Sequence, residues 1–198
     1  MKLFHSPGAC SLGIRILLEM TGAPYETVTV SIPKGEQRQP AYLAQNPKGK
    51  VPALLRPDGS LLTEYPVISL WIARNFPDAG LLPAGDGEYR ALELMEYVVS
   101  TLHMRAATLA MLPSKFAADP AGQDEVRAHG REVLTAGLEL LAERLGDAEW
   151  FFDRPGVADA AVFYLLSWQP RYALDLPPVL EAFRQRMAAL PAVARALT

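Results

Sequence analysis

The stretch Lys2–Val30, KLFHSPGACSLGIRILLEMTGAPYETVTV, decides how the first part of the chain folds. Lys2–His5 reads as a short strand. Ser11–Met20 then carries Leu12, Ile16 and Met20 at intervals of four, the spacing of one helical face. Gly22 and Pro24 stop that helix. Tyr25–Val30 alternates and is rich in β-branched residues, so it reads as a second strand. A strand, a helix and a strand in so few residues predict a parallel, right-handed crossover.

Residues 36–46 are weakly helical, and Asn46-Pro47-Lys48-Gly49-Lys50-Val51-Pro52 interrupts them. Ala53–Arg56 and Ser60–Thr63 flank Pro57-Asp58-Gly59, a hairpin signal. Pro66 fits the first turn of a helix running through Ile68, Trp71 and Ile72. The order β-α-β, loose helix, β-β-α describes a small sheet covered by helices. Phe76–Gly87 is rich in Pro, Gly and Asp and suits a connector, with Leu81 and Leu82 pinning it to a surface. Beyond it, apolar periodicities at 88–112, 122–145, 157–171 and 177–190, separated by Pro and Gly, predict an all-helical bundle. The expected division is 1–77, a connector at 78–87, and a helical domain at 88–198.

Half of the 198 residues are hydrophobic and the net charge is −3. Such a chain buries a sizeable core and has no field to attract nucleic acid or an anionic membrane. One cysteine makes no intrachain disulfide, and His5, His103 and His129 are not spaced as zinc ligands, so no metal is expected. No segment has the apolar length of a signal peptide or membrane span, and a lone thiol suits a reducing cytoplasm.

Cys10 stands at the start of the first helix. Unpaired N–H groups there favour its thiolate, whereas its general tendency to be buried favours an inert thiol. Ser11 either caps the helix or offers its hydroxyl to a sulfur. Val51-Pro52 is either an edge-strand proline or a cis peptide presenting Val51 to an extended ligand. Glu64 opens the next helix, where it either complements the dipole or receives an ammonium beside N–H groups that attract a carboxylate. Asp159, after Gly156, has the place of a residue reaching back to free N–H groups. His103 lies among apolar residues on a helix, where packing is the ordinary role.

Taken together and in order, Met1-Lys2-Leu3-Phe4, Ser6-Pro7-Gly8-Ala9-Cys10-Ser11, Asn46–Leu54, Leu62-Thr63-Glu64 and Val157-Ala158-Asp159-Ala160 resemble the bacterial beta-class glutathione S-transferases. The resemblance spans nearly the whole chain. It implies an α/β thioredoxin-like N-terminal domain, an all-α C-terminal helical bundle, and a homodimer that takes glutathione as co-substrate. Cys10, Ser11 and His103 would attend the glutathione sulfur. Val51, before a cis Pro52, would pair with the tripeptide backbone, and Lys34 or Lys50 would meet its glycine carboxylate. Glu64 and the N–H of Tyr65 would hold the γ-glutamyl end. A small hydrophobic electrophile would lie toward Met104, Thr108 and Trp168.

Several positions depart from the family pattern. His5 replaces a tyrosine, Tyr65 a small residue or serine, and Gly156 a capping serine or threonine. Glu96 stands where a partner's asparagine would reach glutathione, and Met104 where a lysine would. A lost hydrogen bond to a charged group weakens binding by about 1.5–3 kcal/mol. The reading that follows is a transferase that conjugates the glutathione thiolate. Its rivals are a thiol–disulfide reductase acting through Cys10 and a non-catalytic binding protein of the same fold.

Overall fold

The computed structural model describes residues 1–198. Four strands, β1 (Lys2–His5), β2 (Glu26–Thr29), β3 (Ala53–Leu55) and β4 (Leu61–Thr63), form one sheet in the order β2-β1-β3-β4. β1 and β2 pair in parallel with Leu3 opposite Thr27, as the crossover predicts, and β3 runs antiparallel to both β1 and β4. Helix α1 (Ser11–Thr21) makes the crossover and ends at Gly22, whose φ of 68° gives the left-handed turn that favours glycine. A short α2 (Pro40–Leu43) brings Tyr42 onto the other face of the sheet, against Phe4, Val30 and Ala53. Helix α3 (Tyr65–Asn75) follows β4, with Pro66 in its first turn.

The helical part begins with α4 (Asp86–Glu96), which continues without a break through Tyr97–Ala107 into α5 (Thr108–Met111). The middle of this bar is wound as π-helix, a form that the sequence periodicity did not reveal. Helix α6 (Pro120–Leu145) opens with the Asp119 carboxylate accepting the Gly122 N–H at 2.9 Å. All ten residues of α7 (Val157–Leu166) are buried, as expected of a helix apolar on every side. The helix expected to reach residue 171 instead bends after Leu166, and α8 (Gln169–Tyr172) takes Pro170 into its first turn. After α9 (Pro178–Ala188) comes an unexpected α10 (Pro191–Leu197), because Pro191 starts a helix rather than only ending one.

The two parts share one core. α1 packs between the sheet and the helices α7 and α10, and Ile14, Ile16, Leu17 and Leu18 are fully buried. Arg195 on α10 is tied to Glu19 on α1 by an ion pair of 2.7 Å. The connector is fastened as well. Leu81 is buried, and its carbonyl accepts the Val157 N–H at the head of α7 (3.0 Å). A Cβ on residue 156 would stand 2.4 Å from that same carbonyl. Glycine at 156 therefore admits the connector, and a main-chain carbonyl serves the end of α7 where a capping hydroxyl was missing.

Asp159 completes that junction, accepting N–H groups from Phe151 (3.1 Å) and Gly156 (3.0 Å). Burial pushes its carboxyl up to about 6, against the pull of these N–H donors. A carboxyl raised on folding stabilises the protein below its unfolded value, and that contribution fades as pH rises through about 6. Two outcomes are expected in urea unfolding. Asp159→Ala, which orphans two buried N–H groups, costs about 2–4 kcal/mol. Gly156→Ala, which pushes Leu81 away, costs about 1–3 kcal/mol.

Candidate functional site

The turn Ser6–Ala9 delivers the chain into α1, with the Ala9 N–H on the Ser6 carbonyl (3.1 Å) and the Leu12 N–H on the Ala9 carbonyl (3.1 Å). Cys10 sits at the cap position of α1, half-buried, and its Sγ–H points to the Val51 carbonyl at 3.8 Å. Burial pushes the thiol up to about 12. The N–H groups of Cys10 and Ser11 and the charge of Lys50 act in the opposite direction but do not prevail. Of the two readings the sequence left open, the protonated thiol is the one favoured: desolvation outweighs the helix terminus, and in the free protein the thiol keeps its proton at neutral pH.

Ser11 is corrected too. Its hydroxyl is fully buried, accepts the Ser6 N–H at 3.1 Å and pairs with His5 Nδ1 at 2.9 Å, so the side chain neither caps α1 nor faces a cleft. His5, the replacement for a tyrosine, is the inward partner of that hydroxyl. Burial, helped by Arg15, lowers its imidazole to about 4, which leaves it neutral.

Val51 approaches from the sheet side. The Val51–Pro52 peptide is cis, and the Val51 N–H makes no hydrogen bond within the chain. The preceding loop is held by Tyr42 Oη and Asn46 Nδ2, which both donate to the Lys50 carbonyl, at 2.7 and 2.8 Å. Lys50 itself is exposed, and its charge reaches both Cys10 and His103. Lys34 is exposed on the turn after Ile32 and forms no ion pair or side-chain hydrogen bond.

Glu64 precedes α3 with φ +71°, a left-handed backbone rare outside glycine that turns the chain from β4 into the helix. Its carboxylate holds an ammonium already: Lys48 Nζ lies 2.6 Å away and also donates to Thr63 Oγ1 at 2.9 Å. The sequence reading passed over Lys48, although its place in the turn after Asn46-Pro47 was visible. Tyr65, as the first residue of α3, has an N–H with no partner in the helix. Its side chain turns inward, with its ring 5.2 Å from that of Tyr164.

His103 closes the site from the helical part. Its ring lies edge-on to Trp168 (4.8 Å), and its Nδ1 is 3.3 Å from the Tyr164 hydroxyl. Burial and Lys50 lower it to about 4, so it is a neutral hydrogen-bonding group and not a cation. Tyr164 was missed by sequence reading; its one signal is a hydroxyl in the apolar run Ala160–Leu166. Trp168 donates its indole N–H to the Gly8 carbonyl at 3.0 Å, which ties the Cys10 turn to the helical part. Trp168 is thereby a buried brace. Met104 is exposed, while the Thr108 hydroxyl is taken by the His103 carbonyl (3.0 Å). Glu96 is exposed at the end of α4, and its charge is felt at Tyr164.

Two better-formed cavities lie elsewhere. One of about 280 Å³ lies under Leu81 and Asp159, and another of about 520 Å³ lies between α4 and α6. Neither touches Cys10, Val51 or Glu64; the site is located by the Cys10–Val51 contact and by the bond from Trp168 to the Cys10 turn, with His103 packed on Trp168. No group of three His, Cys, Asp or Glu residues is arranged to hold a metal ion, and no helix is long and apolar enough to cross a membrane.

Residues 8–75 match the family model of the glutathione S-transferase N-terminal domain. The chain is 36% identical to glutathione S-transferase GstA of Escherichia coli O157:H7, an alignment covering all of this chain and 98% of that protein. It is 33% identical to a maleylacetoacetate isomerase of Pseudomonas aeruginosa, over 99% of this chain and 95% of that one. A sphingomonad glutathione S-transferase solved in complex with glutathione superposes with a TM-score of 0.86 at 36% identity, covering 100% of this chain and 97% of the other. An α/β sheet domain opening on Cys10, closed by a helical bundle and alike over its whole length to these proteins, belongs to the bacterial glutathione S-transferase family.

Proposed function

We propose that this protein binds glutathione against the edge formed by Val51 and transfers its thiolate to small hydrophobic electrophiles. The observation that carries the reading is the unengaged Val51 N–H beside Cys10, within reach of the charge of Lys50, which also acts on His103. The tripeptide backbone pairs with Val51 as an added strand does. Its γ-glutamyl end reaches Glu64 and the Tyr65 N–H, where its ammonium shares or displaces Lys48. Lys50 is the better placed of the two candidate lysines for the glycine carboxylate.

The glutathione thiol then lies at the head of α1. Its charge is stabilised by the N–H groups there, by Lys50, and by a neutral His103. In this reading the Tyr164 hydroxyl donates to Nδ1, so the ring proton sits on Nε2 and is available to the sulfur. The proton of the thiol leaves to solvent. The electrophile meets the sulfur from the side of Met104, which is exposed. The same reading keeps 1–77 as the glutathione-binding domain, 78–87 as connector and 88–198 as the helical domain. It takes the working form to be a cytoplasmic homodimer with a role in detoxification, in which Glu96 meets the partner's glutathione.

The test is conjugation of glutathione to a chloronitrobenzene, with maleylacetoacetate and other electrophile classes alongside. His103→Ala is expected to lower kcat/KM by roughly ten- to a hundred-fold, the size of one hydrogen bond to a charged group. Between about pH 5 and 8 the profile shows no step from His103, because its imidazole stays neutral above about 4. Absence of glutathione-dependent turnover in every class overturns the reading. Loss of glutathione mixed-disulfide reduction in Cys10→Ser, with no conjugation in wild type, establishes the reductase instead.

A further inference from the structure

The ammonium site at Glu64 is filled from within the chain. Lys48 Nζ lies 2.6 Å from Glu64 Oε1 and 2.9 Å from Thr63 Oγ1, and Glu64 forms no other ion pair. The turn that carries Lys48 is fixed through its main chain. Asn46, 2% exposed, accepts the Lys48 N–H on Oδ1 at 3.2 Å and donates from Nδ2 to the Lys50 carbonyl at 2.8 Å. The Gly49 N–H bonds the Asn46 carbonyl at 2.9 Å, and Gly49, at φ +61°, passes so near the Gln37 carbonyl that a Cβ would stand 3.0 Å from it. Glu64 is fixed as well: its backbone is held at φ +71°, and its carbonyl accepts the Ile68 N–H at 3.0 Å. Two pinned stretches of backbone therefore bring a cation to a carboxylate. Both side chains are more than half exposed, so a second cation can compete for the contact.

We propose that Lys48 is a specificity-determining residue: it stands in for the ligand's ammonium at Glu64, so that the site also takes tripeptide thiols whose γ-glutamyl end lacks the amino group. The inference rests on the reading that the γ-glutamyl end of glutathione meets Glu64. A ligand ammonium arriving there displaces Lys48 or lies beside it on the same carboxylate, where the two like charges repel. Either way one ammonium contact is exchanged for another, and little affinity is gained. A ligand without the ammonium leaves the Lys48–Glu64 pair intact and loses nothing by comparison. Without Lys48 the carboxylate stands open, and only the ligand that brings a cation satisfies it. Any attraction between Lys48 and the α-carboxylate of the γ-glutamyl end is common to both ligands and cancels when the two are compared.

The test is titration calorimetry at low ionic strength, with glutathione and with glutaryl-cysteinyl-glycine, the same tripeptide without its amino group. In the wild type the two dissociation constants are expected to agree within about twofold, because the ammonium contact is exchanged and not added. In Lys48→Met the preference for glutathione is expected to grow by roughly three- to fivefold, the upper part of what an exposed ion pair contributes. The side chain is exposed and the turn is held by main-chain bonds, so the melting temperature stays level. Should Lys48→Met fail to fold, Lys48→Gln carries the same expectation. A merely structural lysine would shift both affinities together, and an unchanged or lowered preference overturns the proposal while leaving glutathione binding established. Absence of binding by either ligand, in wild type and variant alike, overturns the glutathione reading itself.

Discussion

The burial of α1 on both sides is the constraint from which the site follows. A helix with Ile14, Ile16, Leu17 and Leu18 all sealed has the sheet on one flank and α7 and α10 on the other, so its first turn is drawn into the protein with it. That is why Cys10 stands at a helix terminus and still holds its proton. Partial charges at a helix end favour an anion by about 0.3–1 kcal/mol, with ~2 kcal/mol in the best geometries. Desolvation of a buried ionisable group moves a pKa by as much as ~3–5 units, several kcal/mol in the other direction. The larger effect wins at Cys10.

Three of the five departures from the family pattern, His5, Tyr65 and Gly156, are each matched within the fold. Each unusual residue has a partner that makes room for it or satisfies it. His5 is matched by the buried Ser11 hydroxyl, Tyr65 by the bare Cα of Gly13, and Gly156 by the Leu81 carbonyl that enters where a side chain would stand. None of these pairs is close in sequence except the first. The three residues fit their places sterically, and of their buried polar atoms the Tyr65 hydroxyl has no hydrogen-bond partner.

Local chemistry made much of the architecture legible. The crossover, the Pro57-Asp58-Gly59 hairpin and the helix opened by Pro66 follow from period, turn residues and proline, and all occur where those signals lie. The π-wound segment and the bend before α8 depend on packing against other helices, and α10 was hidden by treating Pro191 only as a terminator. In the site, residue types raised Cys10, Val51 and Glu64 as candidates, and the family resemblance added His103. Their states depended on contacts far away in sequence: Trp168 to Gly8, Tyr164 to His103 and Lys48 to Glu64. Ser11 was misread because a serine at a helix start has an ordinary local use, which a histidine six residues earlier pre-empts.

The placement of α10 also bears on the order of folding. One of the two covers of α1 lies far away along the chain, as the Glu19–Arg195 pair, 176 residues apart, measures. Until α10 docks, the face it covers is wetted. So distant a contact carries a large loop-closure cost, and the sheet part keeps an apolar face that a chaperone can recognise until the helical part is in place.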